Sequence, residues 1–116
     1  MIFLAAFALA SAQPRLANVG DCGWVHGHYV EANGSRVHRI FVLGTGHALN
    51  VDIPDDGDHS IPEALDRYFT TGHFNPQQDE MFGDFYVCAR ERRVDGAMQR
   101  IDLKRVKHIR IVDYGR

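Results

Sequence analysis

Two cysteines, four prolines and one tryptophan are all that the 116 residues hold of those types, and each scarcity excludes something. Two cysteines cannot build a zinc ribbon or a multiply cross-linked framework, and neither stands in a C-x-x-C pair. No serine occupies a G-x-S-x-G elbow, and Gly44-Thr45-Gly46 is too short for a phosphate-binding loop. No apolar run reaches the roughly 20 residues that a membrane-spanning helix needs. Repeats and low-complexity segments are missing as well. The chain therefore carries no reaction signature, and no enzyme activity is expected of it.

What is present begins with residues 1–12, M-I-F-L-A-A-F-A-L-A-S-A, all apolar or small. Ala10-Ser11-Ala12 fits the A-x-A pattern after which signal peptidase cuts, so residues 1–12 read as a signal peptide and 13–116 as one domain. The usual basic residue near the start is missing, which leaves a true start further upstream open; a buried N-terminal helix or strand is the alternative to a signal. Export, to the periplasm or outside the cell, is the expected localisation. In an oxidising compartment the even cysteine count predicts a Cys22–Cys88 disulfide, with a metal pair or two free thiols as the alternatives. Cys22 is no lipid attachment site, because Asn18-Val19-Gly20-Asp21 precedes it rather than an apolar run.

The net charge of −2 conceals a strong asymmetry. Residues 13–43 carry +1, residues 44–87 carry −8 and residues 88–116 carry +5. Such polarity can steer a charged partner, or it can bring two faces of one small domain together.

Three strands and two turns fill the stretch from Trp24 to Ile53. Asn33-Gly34 is a type I′ hairpin signal, and Gly44-Thr45-Gly46 supplies the second turn. Val25, Gly27 and Tyr29 share one face of the first strand, while Trp24, His26, His28 and Val30 share the other. The second strand spans Arg36 to Leu43, and Leu49, Val51 and Ile53 alternate in the third. Pro54 stops that ladder. Ser60-Ile61-Pro62-Glu63 is a capping box, after which Ala64, Leu65, Tyr68 and Phe69 predict a three-turn helix ended by Gly72. Residues 73–80 read as loop. A fourth strand covers Phe82 to Arg90, Asp95-Gly96 makes a turn, and a fifth strand runs from Met98 to Val112 with a bulge or bend at Lys104-Arg105.

The order is β-β-β-α-β-β, with one helix between strands 3 and 4. That is the order of a small, mainly β, five-stranded OB-like barrel, in which strand 1 neighbours strand 4 and would bring the two cysteines together. An open α+β meander is the rival. The segments C-G-W-V-H-G-H, the Asn-Gly hairpin, R-I-F-V-L-G-T-G followed by L-N-V, and F-Y-V-C ahead of a Met-Gln strand resemble a group of small exported bacterial proteins of unassigned function. More distantly, the strand order is similar to that of periplasmic OB-fold proteins that bind small or charged ligands. Neither resemblance brings a catalytic residue.

Candidate chemistry rests first on seven histidines. His26 and His28, at i and i+2 on one strand face, can share a zinc-type metal, and His38 lies at the sequence distance that lets the paired strand bring it near. The alternative is a set of hydrogen-bonded surface histidines. Trp24, His26, His28 and His38 are thus the predicted ligand-binding residues, on the outer face of strands 1 to 3. Asp52 to Glu63 matches a calcium loop at positions one, five, six and twelve, but Pro54 falls where a ligand is needed and a strand precedes it. The basic last strand, with Arg100, Lys104, Arg105, Lys107 and Arg110, together with Arg90, Arg92 and Arg93, can follow a phosphate backbone, with Trp24, Tyr29, Phe41 and Tyr86 as stacking surfaces. Export and the acidic middle third weigh against nucleic acid. The expected function is a binding or accessory module for an unidentified small ligand without a built-in cofactor. The alternative is an envelope protein that docks to another through its charge asymmetry.

Overall fold

The inward set of the first strand, Val25, Gly27 and Tyr29, is buried, and the outward set Trp24, His26 and His28 is not. A computed structural model of the chain describes residues 13–31, 38–53, 63–71, 74–75 and 79–113. The elements are β1 (Cys22–Glu31), β2 (His38–Val42), β3 (Ala48–Val51), a 3₁₀ turn (Glu63–Leu65) running into α1 (Asp66–Thr70), β4 (Asp79–Ala89) and β5 (Gln99–Asp113). The described residues are mainly β: one five-stranded sheet and one short helix. The expected signal peptide (residues 1–12), the Asn33-Gly34 turn, the Ser60 end of the capping box and Gly72 lie outside the described residues.

Spatial order differs from chain order. The sheet closes on itself as β1-β2-β3-β5-β4, with β4 back on β1. Among the described strands only β3 and β5 run parallel, pairing Leu49 with Gln99 and Val51 with Ile101. In the β1–β4 ladder Cys22 and Cys88 are direct partners, and they are joined as a disulfide. Inward positions give one core of Val25, Tyr29, Ile40, Leu49, Met81, Phe85, Val87 and Ile101, sealed by Leu65 and Phe74. Closure gives each strand one inward apolar side, which the opposite wall of the sheet covers.

Two glycines permit the curvature. Gly27 and Gly83 sit opposite each other in the β1–β4 ladder. A Cβ on Gly27 would lie 2.6 Å from Ile40 Cγ2 and 3.0 Å from the Phe41 carbonyl oxygen. On Gly83 it would lie 2.6 Å from Ile109 Cδ1 and 3.2 Å from Ile109 Cα. Each therefore admits the neighbouring strand where a side chain would hold it away.

Two elements depart from expectation. The helix is a single 3₁₀ turn plus five α-helical residues, not three turns. Leu65, which precedes α1, has φ −108° and ψ 0° and makes no side-chain cap. The chain spends that position driving Leu65 into the barrel instead of extending the helix. At the other end the Phe74 amide bonds the Tyr68 carbonyl (3.1 Å) and turns the chain away. The second departure is β4, which starts at Asp79, inside the expected loop. Asp79 nucleates it by accepting from the Asn75 amide (2.9 Å) and donating its own amide to the Asn75 carbonyl (2.8 Å).

Residues 13–21, the segment that leads into β1, do more than approach that strand. The Gln13 carboxamide accepts from the His26 amide (3.0 Å) and donates to the carbonyls of His26 and Leu43 (both 3.2 Å). It bridges β1 to the end of β2, and Leu16 then folds into the core.

Candidate functional site

β5 carries two register shifts, opposite Phe82/Asp84 and opposite Tyr86/Val87. One of them is the irregularity expected at Lys104-Arg105. The other places His108 at φ +54°, in the left-handed region that a residue with a side chain rarely adopts. A bulge of this kind re-aims a side chain. Here it turns the His108 imidazole onto Asp84, Nδ1 to Oδ2 at 2.8 Å.

The registers then lay out the outer face of β1, β4 and β5 as three rungs. The first is Trp24–Tyr86–Arg105, the second His26–Asp84–Lys107 and the third His28–Phe82–Arg110. In the first, the rings of Trp24 and Tyr86 are 5.2 Å apart, with the Arg105 guanidinium 4.7 Å from the Tyr86 centroid. Lys107 leans from the second rung to the first, its Nζ 4.1 Å from the Trp24 centroid. In the third, His28 stacks on Phe82 at 4.6 Å and the Arg110 guanidinium lies 5.1 Å from the same ring. Phe41 of β2 extends that rung, 6.5 Å from His28. Cations held over ring faces are worth roughly 0.5–1 kcal/mol each at exposed sites, so they fix the side chains without locking them.

The middle rung is polar. Asp84 accepts from Nδ1 of His26 and Nδ1 of His108, both at 2.8 Å, one on each oxygen. The hydrogen bond from His108 holds the Asp84 carboxyl below its usual range; partial burial opposes this, and the His26 hydrogen bond and both imidazoles' charges reinforce it. A carboxyl lowered on folding contributes stability that is present above its unfolded value, about pH 4. That contribution is lost as pH falls through the folded value. His26 and His108 side chains are 56% and 75% exposed, so the effect is about 1 kcal/mol or less. Asp84→Asn is expected to destabilise the protein at pH 7 and to lose that penalty towards pH 2, as read by urea unfolding at the two pH values. An equal penalty at both would show that the Asp84 charge contributes nothing.

Of the four predicted ligand residues, Trp24, His26 and His28 share this face and His38 does not. His38 is inward-facing and buried at the start of β2, where it hydrogen-bonds the Tyr29 hydroxyl and meets the edge of Phe69. The reason is parity: His38 pairs with Glu31, an inward position of β1, so it takes the inward side as well. Tyr29, expected among the stacking surfaces, is also inside. Burial raises its hydroxyl well above the ordinary value, and the charge of Glu31 adds to the shift.

His26 and His28 do share a face, yet they address different partners. His26 turns to Asp84, and His28 lies on Phe82 with Glu80 at 3.9 Å. Among the described residues no group of three or more His, Cys, Asp or Glu is arranged to hold a metal ion. Of the calcium-like loop, residues 54–62 lie outside the described set. Its first residue, Asp52, pairs with Arg100 (3.0 Å) and Arg90 (3.4 Å).

Sequence reasoning missed Asp84 and His108. A signal was available: the apolar residues Leu103, Val106 and Ile109 step by three where a strand steps by two, and each such step marks a bulge. The charge asymmetry is partly consumed within the fold, because Arg90 and Arg100 of the basic third meet Asp52 of the acidic third. Arg90 also bonds Asp102 at 3.0 Å, and these carboxylates raise its already high pKa further. Comparison with protein-family models, with curated proteins and with solved structures finds no match.

Proposed function

We propose that the protein is an exported OB-type barrel acting as a binding module rather than an enzyme, and that its outer β1–β4–β5 face takes an acidic polysaccharide. The OB class rests on the helix between the third and fourth strands and on the return of β4 to β1. Export rests on the apolar residues 1–12 and the disulfide, and is compatible with the finding that no helix among the described residues is long and apolar enough to span a membrane.

The observation that carries the ligand reading is the alternation of the three rungs. Aromatic rings with cations lie at either end, and a carboxylate with two imidazoles lies between. Trp24 and His28 are four residues apart on one strand, so the two cationic ends are about 13 Å apart. A linear polymer charged on alternate residues and hydroxylated on the others complements that pattern. Its carboxylates meet Arg105 and Lys107 at one end and Arg110 at the other, while its hydroxyls face Asp84 and the imidazoles. A phosphodiester chain, charged at every residue, would set a phosphate against Asp84. Docking to an acidic envelope protein is the weaker reading, because Asp52 already holds Arg90 and Arg100.

The test is titration with hyaluronate fragments, whose uronates alternate with neutral sugars, against dextran and a single-stranded oligonucleotide. Hyaluronate is expected to bind, to weaken with added salt and to lose about tenfold or more in the Arg105→Gln, Lys107→Gln double variant. Tighter binding of the oligonucleotide, or no effect of the double variant, would overturn the reading.

A further inference from the structure

A second site lies at the end of the barrel where the leader crosses, away from the rungs. A cleft of about 250 Å³ opens there between residues 13–16, the β2–β3 turn and Arg93 of the β4–β5 connection. Its floor is apolar and belongs to the core: Val25, Val42 and Leu49, with Leu16 beside them. Arg93 and Arg15 give it a cationic lining, and His47 lines it as well.

Arg93 is held in place but not satisfied. Its amide donates to the Ala17 carbonyl at 3.0 Å, and its Nη1 donates to the Arg15 carbonyl at 3.4 Å. The Nε–H is buried and has no hydrogen-bond partner among the described residues. The nearest carboxylate oxygen, on the largely exposed Asp95, is 4.0 Å away, beyond hydrogen-bond reach. A buried guanidinium N–H without an acceptor is costly, and an anionic acceptor with two oxygens suits the planar fork. The neighbouring polar groups do not fill that need: His47 Nε2 faces Gln99 Oε1 at 3.3 Å, and the Gln13 carboxamide is spent on β1 and β2.

We infer that this cleft binds a short-chain aliphatic monocarboxylate, its carboxylate on Arg93 and its alkyl chain on the Val25–Val42–Leu49 floor. The volume falls below the roughly 300–1,000 Å³ that drug-sized ligands occupy, which limits the guest to a small molecule. The inference is independent of the polysaccharide face and shares no residue with it.

The experiment follows methyl resonances of Val25, Val42 and Leu49 while the full chain is titrated with butyrate, hexanoate or octanoate. Hexanol and hexylamine serve as controls at equal ionic strength. Saturable shifts are expected for the carboxylates and not for the controls. Arg93→Met, which keeps the aliphatic stem and removes the donors, is expected to weaken binding at least tenfold. Arg93→Lys, which keeps the charge but not the fork, is expected to fall between the two. The amide spectrum of each variant reports whether the fold is kept. Equal shifts with hexanol, unchanged affinity in a folded Arg93→Met, or no saturable shift with any carboxylate would overturn the inference.

Discussion

Replacing both Cys22 and Cys88 by serine is expected to lower stability by about 4 kcal/mol, and with it the melting temperature by roughly 15–30 °C. The bridge spans 66 positions of sequence, and its main effect falls on the unfolded chain. In the folded state the two residues are already ladder partners, with β1 and β4 paired from Cys22↔Cys88 to Tyr29↔Met81. The cross-link therefore adds little to the native contacts and removes much of the freedom gained on unfolding. Serine itself should cost little, since Cys22 is exposed and Cys88 only half-buried, both on the outer side of the barrel. The same exposure makes the bridge accessible to reductant without prior unfolding. Thermal melts of the wild-type chain with and without reductant, beside the double-serine variant, check the effect. A fall of only a few degrees would mean that the unfolded chain is already restricted at those positions.

How far the sequence foretold this structure depends on the kind of signal. Period-two alternation marks which side chains point together, and it placed Val25, Gly27 and Tyr29 opposite Trp24, His26 and His28. In β4 the same alternation is seen in burial, with Phe85, Val87 and Ala89 buried and Asp84, Tyr86 and Cys88 only half-buried. Alternation says nothing about which face of one strand meets which face of the next. That is set by register, and a shift of one residue exchanges the faces. His38 was misplaced because sequence distance alone was used to bring it near. A two-residue turn at Asn33-Gly34 would set it opposite Tyr29, an inward position, and the observed pairing with Glu31 keeps that inward parity. The site was split in the same way. Its β1 half was legible as an outward stripe, and the basic strand was legible as a charge run. Their union on one face needs the β1–β4–β5 order, which is a matter of long-range pairing. His108 needed more still, a bulge that breaks the alternation itself. The helix was overestimated because helical spacing in Ala64, Leu65, Tyr68 and Phe69 is also the spacing of a short plug.

That plug is where the second large effect is expected. Leu65→Ala should cost about 3 kcal/mol, within the range of about 2–5 for a buried leucine truncated to alanine. Leu65 is fully buried (0% exposed), packed into the core from the segment that links β3 to β4. A five-residue helix with no side-chain cap cannot hold itself together, since isolated helices below about 12–15 residues are marginal even in favourable sequences. Residues 63–71 therefore depend on Leu65, with Tyr68 and Phe69 packing beside it. Truncation has two consequences that can be measured apart. The cavity lowers global stability, as read by equilibrium unfolding in urea. Loss of the anchor lowers the free energy of local opening, as read by faster amide exchange at 66–71 while β1 and β4 keep relative protection. Collapse of the segment into the vacated space would bring the global cost to the low end of the range without restoring the local protection. A global cost under about 1 kcal/mol together with unchanged exchange would mean that Leu65 does not seal the barrel, and that Phe74 alone closes that end.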